Sequence, residues 1–208
     1  KLQEVENKLL QTQLKPHFIS DTLSAIQGYI LNNEPVKASD YLSDYSLLMR
    51  EVLNMSNSKY ISIKEDIALL NQFLHLESIR FEKAFEYNIE ANSLELENIL
   101  IPPMLSQPFV ENAINHGVLN DSFGVIEVSY FLLNQSQIKI VIKDNGVGTK
   151  DNGVGIKDNK LHSLDIIKKR LKIIEETTKI KSMFKIFPDE NGNKGTISEV
   201  IVHHKKKW

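Results

Sequence analysis

The chain has 208 residues, of which 41% are hydrophobic and 25% are charged, and its formal net charge is −2. This length fits one or two domains, and the composition is that of a globular protein with enough apolar residues for a core. The near-neutral charge gives no indication of nucleic-acid binding, and the lack of cysteine excludes disulfides and thiol catalysis. No apolar run approaches the ~18 residues of a membrane-spanning helix. Because the sequence begins at Lys1 inside a helical pattern, without Met, we expect an excised fragment.

The first 80 residues or so carry apolar residues at helical spacing. Pro16 lies within the first of these patterns and is predicted to kink or restart that helix. A break at residues 32–35 (NNEP) separates it from a second helix, and a third helix is predicted from Ile63. We therefore expect a helical module over residues 1–81.

The second half of the chain alternates between strand and helix patterns, and eight of the nine glycines follow residue 116. The predicted strands are Ala84–Ala91, Val125–Leu133, Gln137–Lys143, Met183–Phe187 and Thr196–Val202, and the predicted helices are Pro102–His116 and Ser163–Glu176. Helices first and mixed elements afterwards predict an α+β protein, with a separate α/β domain over residues 82–208.

The helix predicted from Pro102 to His116 ends in polar side chains. Asn112, Asn115 and His116 fall on one face at helical spacing, with Glu111 beside them. Amide and carboxylate oxygens suit Mg²⁺, whose remaining ligands are water and phosphate. An alternative stays open, in which these residues form a polar last turn that the following glycine caps.

The unit KDNGVG occurs twice, at residues 143–148 and 150–155. The first copy directly follows the predicted strand IKIVIK. Its Asp144 can accept a hydrogen bond from an amine such as that of adenine, and Gly146 and Gly148 let the backbone approach a flat ligand closely. A tight hairpin turn is the alternative. The second copy follows no strand and is placed where a segment would link strand to helix.

Several motifs, in a fixed order, resemble one family. The stretch LKPHFISDTLSAIQ around His17 is similar to the phosphoacceptor segment of LytS/YehU-type sensor histidine kinases, and IALLNQFLHLESIRFEKAF is similar to their linking helix. IPPMLSQPFVENAINHG is similar to the N box of their GHKL-type ATP-binding domain, and DNGVG and Gly195-Thr196 follow it. The resemblance covers essentially the whole chain. It implies a GHKL-type α/β sandwich that follows a helical dimerisation module.

The resemblance also implies roles for residues at matching positions. His17 is expected to be the phosphoacceptor, since a neutral imidazole nitrogen is a competent nucleophile. ATP and Mg²⁺ are the expected ligands, with Asn112 holding the metal ion and Glu111 beside it as a catalytic residue. The expected nucleotide contacts are Asn112, Asn115, His116, Asp144, Gly146, Gly148, Arg170, Gly195 and Thr196.

Asp21 lies four residues after His17 and therefore on the same helical face. We predict that Asp21 accepts a hydrogen bond from one ring nitrogen of His17 and leaves the other nitrogen free to attack. The family has Asn at this position. If an Asp21→Asn variant is phosphorylated at the parent rate, this special role for Asp21 is wrong.

Three positions depart from the family pattern. Lys15 replaces an Asn, Asn115 stands where Lys is frequent, and Asp165 lies near an expected glycine. A carboxylate near a triphosphate repels it, so weaker ATP binding or a different lid closure is expected. The second KDNGVG is expected to lengthen the mobile ATP lid, although an exchange of roles between the two copies stays open.

The resulting hypothesis is the cytoplasmic kinase core of a membrane-associated sensor histidine kinase in a two-component system. The resemblance implies a homodimer, an upstream membrane sensor region on the same chain and a response regulator whose aspartate receives the phosphoryl group from His17. Two alternatives stay open: a non-catalytic dimeric scaffold, which Asp165 and Asn115 favour, and a GHKL ATPase with Glu111 as general base. The sequence leaves open whether phosphoryl transfer runs within one chain or across the dimer.

Overall fold

Three helices occupy the first part of the described chain. The computed structural model describes residues 16–91, 95–115, 123–146, 158–189 and 195–207, with side chains from residue 18 and, in the last helix, from residue 164. The helices are α1 (Pro16–Leu31), α2 (Pro35–Ser56) and α3 (Ile63–Arg80). The three predicted helices and the break between the first two are confirmed. The kink predicted at Pro16 concerns residues outside the described ones.

α1 and α2 form a hairpin through a tight turn. Asn33 has a φ of 62°, in the left-handed region, and the Glu34 N–H donates to the Tyr29 carbonyl at 2.9 Å. Pro35 stands in the first turn of α2, where its missing N–H has no helical partner to lose. The rings of Tyr29 and Tyr41 pack edge to face with centroids 5.9 Å apart. These contacts hold the two helices of one chain side by side.

Both helices of this hairpin also expose large apolar side chains. Ile19, Leu23 and Ile30 recur at helical spacing on α1, and Leu42 and Leu53 recur on α2. Leu23 is 57% exposed and Leu42 is 46% exposed. Exposed apolar surface of this kind is frequent at protein interfaces.

α3 begins with a capping box next to a small sheet. The Ser62 hydroxyl accepts from the Glu65 N–H at 3.2 Å, and the Glu65 carboxylate accepts from the Ser62 N–H at 2.7 Å. β1 (Ile61–Ser62) pairs antiparallel with β3 (Ile99–Ile101), which pairs antiparallel with β8 (Lys205–Lys206). The sequence did not predict this sheet, because strands of two or three residues have no readable alternation.

The main sheet has five strands in the order β2-β4-β5-β7-β6. β2 and β4 are parallel, and the other neighbours are antiparallel. The strands are β2 (Phe85–Glu90), β4 (Gly124–Leu132), β5 (Gln137–Asp144), β6 (Met183–Pro188) and β7 (Thr196–His203). All five match predicted strands, since β-branched residues in β4, β5 and β7 and aromatic residues in β2 and β6 favour strand structure.

Helices cover one face of this sheet. α4 (Gln107–Ala113) packs against β5, and α5 (Asp158–Thr178) packs against β6 and β7. Alternate side chains of the central strands point into this layer and are buried, among them Ile126, Val128, Ile140, Ile142 and Val200. The predicted fold class, an α+β chain with an α/β sandwich after its helices, is confirmed.

α4 and α5 both begin at residues other than the predicted ones. We expected the first helix from Pro102 through His116, whereas α4 begins at Gln107. Met104 has a φ of 57°, which a right-handed helix excludes, so residues 102–106 form turns instead. α5 in turn begins five residues before the predicted Ser163.

One hydrophobic cluster runs through the described residues, from Tyr41 on α2 and Phe73 on α3 to Ile140 on β5 and Ile167 on α5. The division into units of residues 1–81 and 82–208 therefore stays a prediction. None of the helices in the described ranges combines the length and apolar character that crossing a membrane requires.

Candidate functional site

The end of β5 carries the Asp144 carboxylate on a tightly held turn. The Gly146 N–H donates to Asp144 Oδ1 at 3.0 Å, and Asp144 is nearly buried. Asn145 fixes the turn against the start of β4, because its Oδ1 accepts from the Val125 N–H at 2.7 Å and its Nδ2 donates to the Phe123 carbonyl at 3.1 Å. The carboxylate is thus oriented by backbone that cannot easily move.

Gly195 is the residue that lets the neighbouring chain approach this turn. A Cβ atom at Gly195 would lie 2.1 Å from the Asp144 carbonyl oxygen, so no other residue fits without displacing backbone. Thr196 follows and pairs with Asp144 across β5 and β7. The structure therefore brings together four predicted contacts, Asp144, Gly146, Gly195 and Thr196. Gly148 and the second KDNGVG copy lie outside the described residues.

α4 places the predicted metal ligand beside this sheet. The Asn112 amide nitrogen is buried and has no hydrogen-bond partner among the described residues. Glu111 Oε1 accepts from Gln107 Nε2 at 3.3 Å, one turn earlier on the same helix. Asn115 is exposed in a π-helical turn over residues 114–115, a distortion that is frequent at functional sites. His116 lies outside the described residues.

These residues fit an adenine nucleotide with Mg²⁺. A carboxylate at a strand end and a glycine cradle suit a flat base with an exocyclic amine. The buried Asn112 amide nitrogen is a donor without a partner among the described residues, and it can donate to a phosphate oxygen. The amide oxygen is the Asn112 atom that would bind Mg²⁺. The described part of the chain has no group of three or more His, Cys, Asp or Glu with a geometry that could hold a metal ion. An Mg²⁺ ion here would therefore take most of its oxygens from phosphate and water.

Arg170 has other partners than the predicted nucleotide. It is fully buried on α5, and its Nη2 donates to the Pro103 carbonyl at 2.7 Å. Its Nη1 lies 3.4 Å from the Met104 carbonyl. These groups belong to the left-handed turn before α4, so Arg170 supports that turn from inside the core. The nucleotide contact expected for Arg170 stays a prediction.

Asp165, which we expected to disturb ATP binding, is on the outer side of α5. Its side chain is 55% exposed, and Lys168 Nζ lies 3.9 Å from its Oδ1. Solvent screens a carboxylate at such a position.

α1 holds the predicted phosphoacceptor segment against the rest of the chain. The His17 side chain lies outside the described ones, but the ring of the next residue, Phe18, packs on Tyr45 of α2 and Phe73 of α3, with centroids 5.9 and 5.4 Å apart. Asp21 Oδ2 lies 3.3 Å from Nη1 of Arg80 at the end of α3. The hydrogen bond predicted from His17 to Asp21 stays a prediction, and the described partner of Asp21 is Arg80.

Arg80 also joins Glu77, one turn earlier on α3. Its Nε donates to Glu77 Oε1 at 3.1 Å, and its Nη2 contacts Glu77 Oε2. Burial raises the pKa of Glu77, the Arg80 charge opposes this rise, and the nearby carboxylates of Glu111 and Asp21 add to it. The sequence reading missed this cluster, although the spacing of Glu77 and Arg80 indicates an ion pair on one helix face.

A second polar cluster, inside the core, was also missed. Asp66 on α3 accepts from the Tyr130 hydroxyl at 2.7 Å and from the Ser106 hydroxyl at 3.2 Å. Burial raises the pKa of Asp66 to about 6, although both hydrogen bonds and the charge of Arg170 lower it. A lone Asp in an amphipathic helix gives no signal of this kind, since its partners lie 40 and 64 residues away.

The sequence is similar to known signalling proteins. A sequence profile described as histidine kinase matches residues 5–85. The chain is 33% identical over 149 residues to the sensor histidine kinase/phosphatase LytS of Staphylococcus aureus strain MRSA252. This chain belongs to the histidine kinase family. The alignment covers 71% of the chain and 25% of that LytS, and LytS of strain N315 matches over the same share at 32% identity. The chain therefore spans about a quarter of the length of the curated relatives it matches.

Solved structures share the fold of this histidine kinase chain. The histidine kinase domain of the blue-light activated histidine kinase EL346 from Erythrobacter litoralis has a TM-score of 0.53 at 14% identity, covering 97% of this chain and 94% of that one. The mycobacterial sensor histidine kinase MprB has a TM-score of 0.50 at 12% identity, covering 71% and 99%. At these identities the likeness concerns the fold alone.

Proposed function

We propose that this chain is the kinase core of a sensor histidine kinase, in which His17 accepts the γ-phosphoryl group of ATP and passes it to a response-regulator aspartate. The observation that carries the proposal is the meeting of Asp144, Gly195 and Thr196 at one end of the sheet. These residues come from distant parts of the sequence, and together they place a carboxylate and closely spaced backbone where an adenine base could bind. The scaffold and ATPase alternatives have no comparable support.

Asp144 has the role of reading the adenine base. Its Oδ1 already accepts from the Gly146 N–H, and a carboxylate has further lone pairs that can accept from an exocyclic amine. Gly195 keeps the neighbouring strand close to the turn, so the pocket wall is backbone and cannot swing aside. Binding of a base between fixed groups costs little reorganisation.

Asn112 has the role of holding Mg²⁺ with the nucleotide, with Glu111 and Asn115 on the same short helix. Mg²⁺, when bound, neutralises charge on the phosphoryl group that is transferred. The chain itself supplies orientation: α4 is fixed at its start by the turn that Arg170 holds. His17 supplies an imidazole nitrogen that is neutral and nucleophilic near physiological pH.

The exposed apolar residues of the α1–α2 hairpin have the role of a dimer interface. Ile19, Leu23 and Ile30 on α1 form a stripe that resembles the seam of a helical bundle. Two hairpins that pack through such stripes would bury them from water. The upstream membrane sensor region and the response regulator remain part of this proposal, and they rest on the similarity to the LytS proteins.

A labelling experiment tests the kinase proposal. The chain is incubated with Mg²⁺ and γ-labelled ATP beside His17→Gln, Asp144→Asn and, as a matched control, Asp40→Asn, which changes an exposed carboxylate on α2. We expect label on the parent and the control, none on His17→Gln, and at least about ten-fold less on Asp144→Asn because a lost base contact weakens nucleotide binding. Equal label on His17→Gln and the parent would contradict the proposal.

Replacing Leu23 tests the proposed dimer interface. A charge in the middle of a buried apolar seam is unfavourable, so Leu23→Glu is expected to shift the protein from dimer to monomer. Sedimentation velocity of the parent and the variant measures this. Phe131→Glu, which changes an exposed ring on the outer face of β4, is the control and is expected to stay dimeric. A Leu23→Glu variant that sediments like the parent dimer would place the interface elsewhere.

A further inference from the structure

Two contacts dock the phosphoacceptor helix onto α3 of its own chain, and both are made by residues that closely follow His17. The Phe18 ring packs on the Phe73 ring, with centroids 5.4 Å apart. Asp21 meets Arg80 at 3.3 Å. Phe18 directly follows His17 and Asp21 lies one helical turn on, so the backbone of this turn is held at two points. The partners come from residues more than fifty positions later in the same chain.

The guanidinium of Arg80 is oriented by its own helix before it reaches α1. Its Nε and Nη2 engage both carboxylate oxygens of Glu77, and its Cζ lies 4.1 Å from the centroid of the Phe81 ring. Such a two-point pairing fixes the plane of the group, which leaves Nη1 directed at Asp21. A lysine has a single ammonium and cannot hold both carboxylates in this plane.

The same cluster extends to α4, the helix that carries Asn112. Glu77 is nearly buried, and its electrostatic neighbours include Glu111 on α4 as well as Asp21 on α1. Arg80 thus pairs with two carboxylates, Asp21 on α1 and Glu77 on α3, and the third, Glu111 on α4, is an electrostatic neighbour of Glu77. Without Arg80, like charges in a half-buried place would repel each other and favour separation of α1 from the rest of the chain.

We propose that Arg80 is a positioning residue for phosphoryl transfer, which docks the turn after His17 beside the nucleotide-binding half of the same chain, so that each chain phosphorylates its own His17. This inference rests on the proposed kinase function and deepens it. It assigns a direction of transfer that the sequence left open. In the transfer, a bond forms from a His17 ring nitrogen to the γ-phosphorus, the bond from that phosphorus to the β–γ bridging oxygen breaks, and ADP leaves with that oxygen. The proton on the other ring nitrogen of His17 passes to water.

Mixed dimers test the direction of transfer. Differently tagged His17→Gln and Asp144→Asn chains are exchanged, and the mixed dimer is isolated by both tags and given Mg²⁺ and γ-labelled ATP. One chain lacks the acceptor and the other lacks the base contact. Transfer within a chain predicts no more label than in Asp144→Asn homodimers. Label on the Asp144→Asn chain at about half the parent rate, which transfer across the dimer would give, overturns the proposal.

Single variants test the part played by Arg80. We expect Arg80→Gln and Arg80→Lys to lower the labelling rate at saturating ATP by about ten-fold or more, because misplacement of the reacting groups has effects of this size. The dissociation constant for ATP stays within about two-fold, since Arg80 touches none of the proposed nucleotide contacts. Arg50→Gln, on the exposed side of α2, is the matched control. Labelling of Arg80→Gln at the parent rate, or an equal loss in ATP affinity, overturns the proposal.

Chemical cross-linking tests, without any need for catalysis, whether residues 21 and 80 meet within one chain. The chain has no cysteine, so Asp21→Cys/Arg80→Cys introduces two thiols alone. A short bifunctional thiol reagent is expected to give a product of single-chain mass on a denaturing gel, and a mixture of the two single-cysteine chains is expected to give no two-chain product. Two-chain products in both samples overturn the same-chain contact. If the parent takes no label at all, the kinase proposal fails while this cross-link still decides the contact.

Discussion

The two ends of α3 hold the molecule together by different means. At the start, Asp66 is buried and accepts hydrogen bonds from Ser106, just before α4, and from Tyr130 on β4. At the end, Arg80 forms ion pairs with Glu77 on its own helix and Asp21 on α1, and its side chain is 18% exposed. The first end is closed to water and the second end is partly open to it.

This difference separates fixed structure from adjustable geometry. Removing one partner of a buried hydrogen bond lowers stability strongly, because the remaining polar group stays out of water without a hydrogen bond. Partly exposed ion pairs exchange with water at small cost, yet their geometry still sets where a neighbouring helix lies. We therefore expect changes at the start of α3 to alter stability, and changes at its end to alter phosphoryl transfer more than stability.

The largest stability effect is expected in the pH dependence of an Asp66→Asn variant. Burial raises the pKa of Asp66 from its usual 3.8 to about 6, so the folded chain holds this proton more tightly than the unfolded chain. The resulting stabilisation is present below about pH 4 and is lost as the pH rises through about 6. One pKa unit corresponds to about 1.4 kcal/mol, so Asn should gain on the order of 3 kcal/mol relative to the parent between pH 4 and pH 7.

Urea unfolding at several pH values measures this difference. The Asp40→Asn variant, which changes an exposed carboxylate on α2, provides the control for changes in net charge. Parallel curves of unfolding free energy against pH for Asp66→Asn and the parent would mean that Asp66 has the same pKa in the folded and unfolded chains. The predicted effect of its burial would then be wrong.

A smaller loss is expected for Tyr130→Phe. The hydroxyl donates to Asp66 at 2.7 Å in a fully buried place, and hydrogen bonds to charged groups contribute about 1.5–3 kcal/mol. We expect a loss of about 2 kcal/mol in the free energy of unfolding at pH 7. Tyr87→Phe is the matched control, because that hydroxyl is 3.5 Å from its acceptor near the surface, and its loss should stay below about 0.5 kcal/mol.

The smallest stability effect is expected for Arg80→Gln. Glu77 is buried, but Arg80 and Asp21 are partly solvated and a glutamine at position 80 can still donate to Glu77, so we expect a loss of about 1 kcal/mol in the free energy of unfolding. Together with the expected ten-fold fall in labelling, this result would show that the end of α3 acts mainly on phosphoryl transfer, whereas its start acts mainly on stability. A loss as large as that of Tyr130→Phe, with labelling unchanged, would make Arg80 a structural residue only.

The sequence predicted the elements with a long regular pattern. β4, β5 and β7 carry runs of β-branched residues, and α2 and α3 have clear apolar stripes. The meeting of Asp144 with Gly195 was expected from the order of the motifs, since the strand that precedes Asp144 and the strand that follows Gly195 pair directly. The physical need for glycine at position 195 became visible only in three dimensions.

Contacts between distant residues could not be read in this way. Arg80 and Asp21 are 59 residues apart, and nothing local in either helix indicates that they meet. Arg170 was expected to contact the nucleotide from its match to the family motif, and nothing in the sequence indicated that the face of α5 that carries it turns into the core. The late start of α4 depends on the left-handed Met104, a conformation for which methionine gives no signal.

The location of the phosphoryl group after incubation with Mg²⁺ and ATP is the most direct test of whether this chain is a kinase that phosphorylates His17. Peptide mass spectrometry at neutral pH identifies the modified residue, and treatment with acid and base identifies the bond. We expect phosphorylation of His17 alone, through a bond that acid breaks and base leaves intact. Modification of another residue, or release of phosphate from ATP with His17 unmodified, would contradict it.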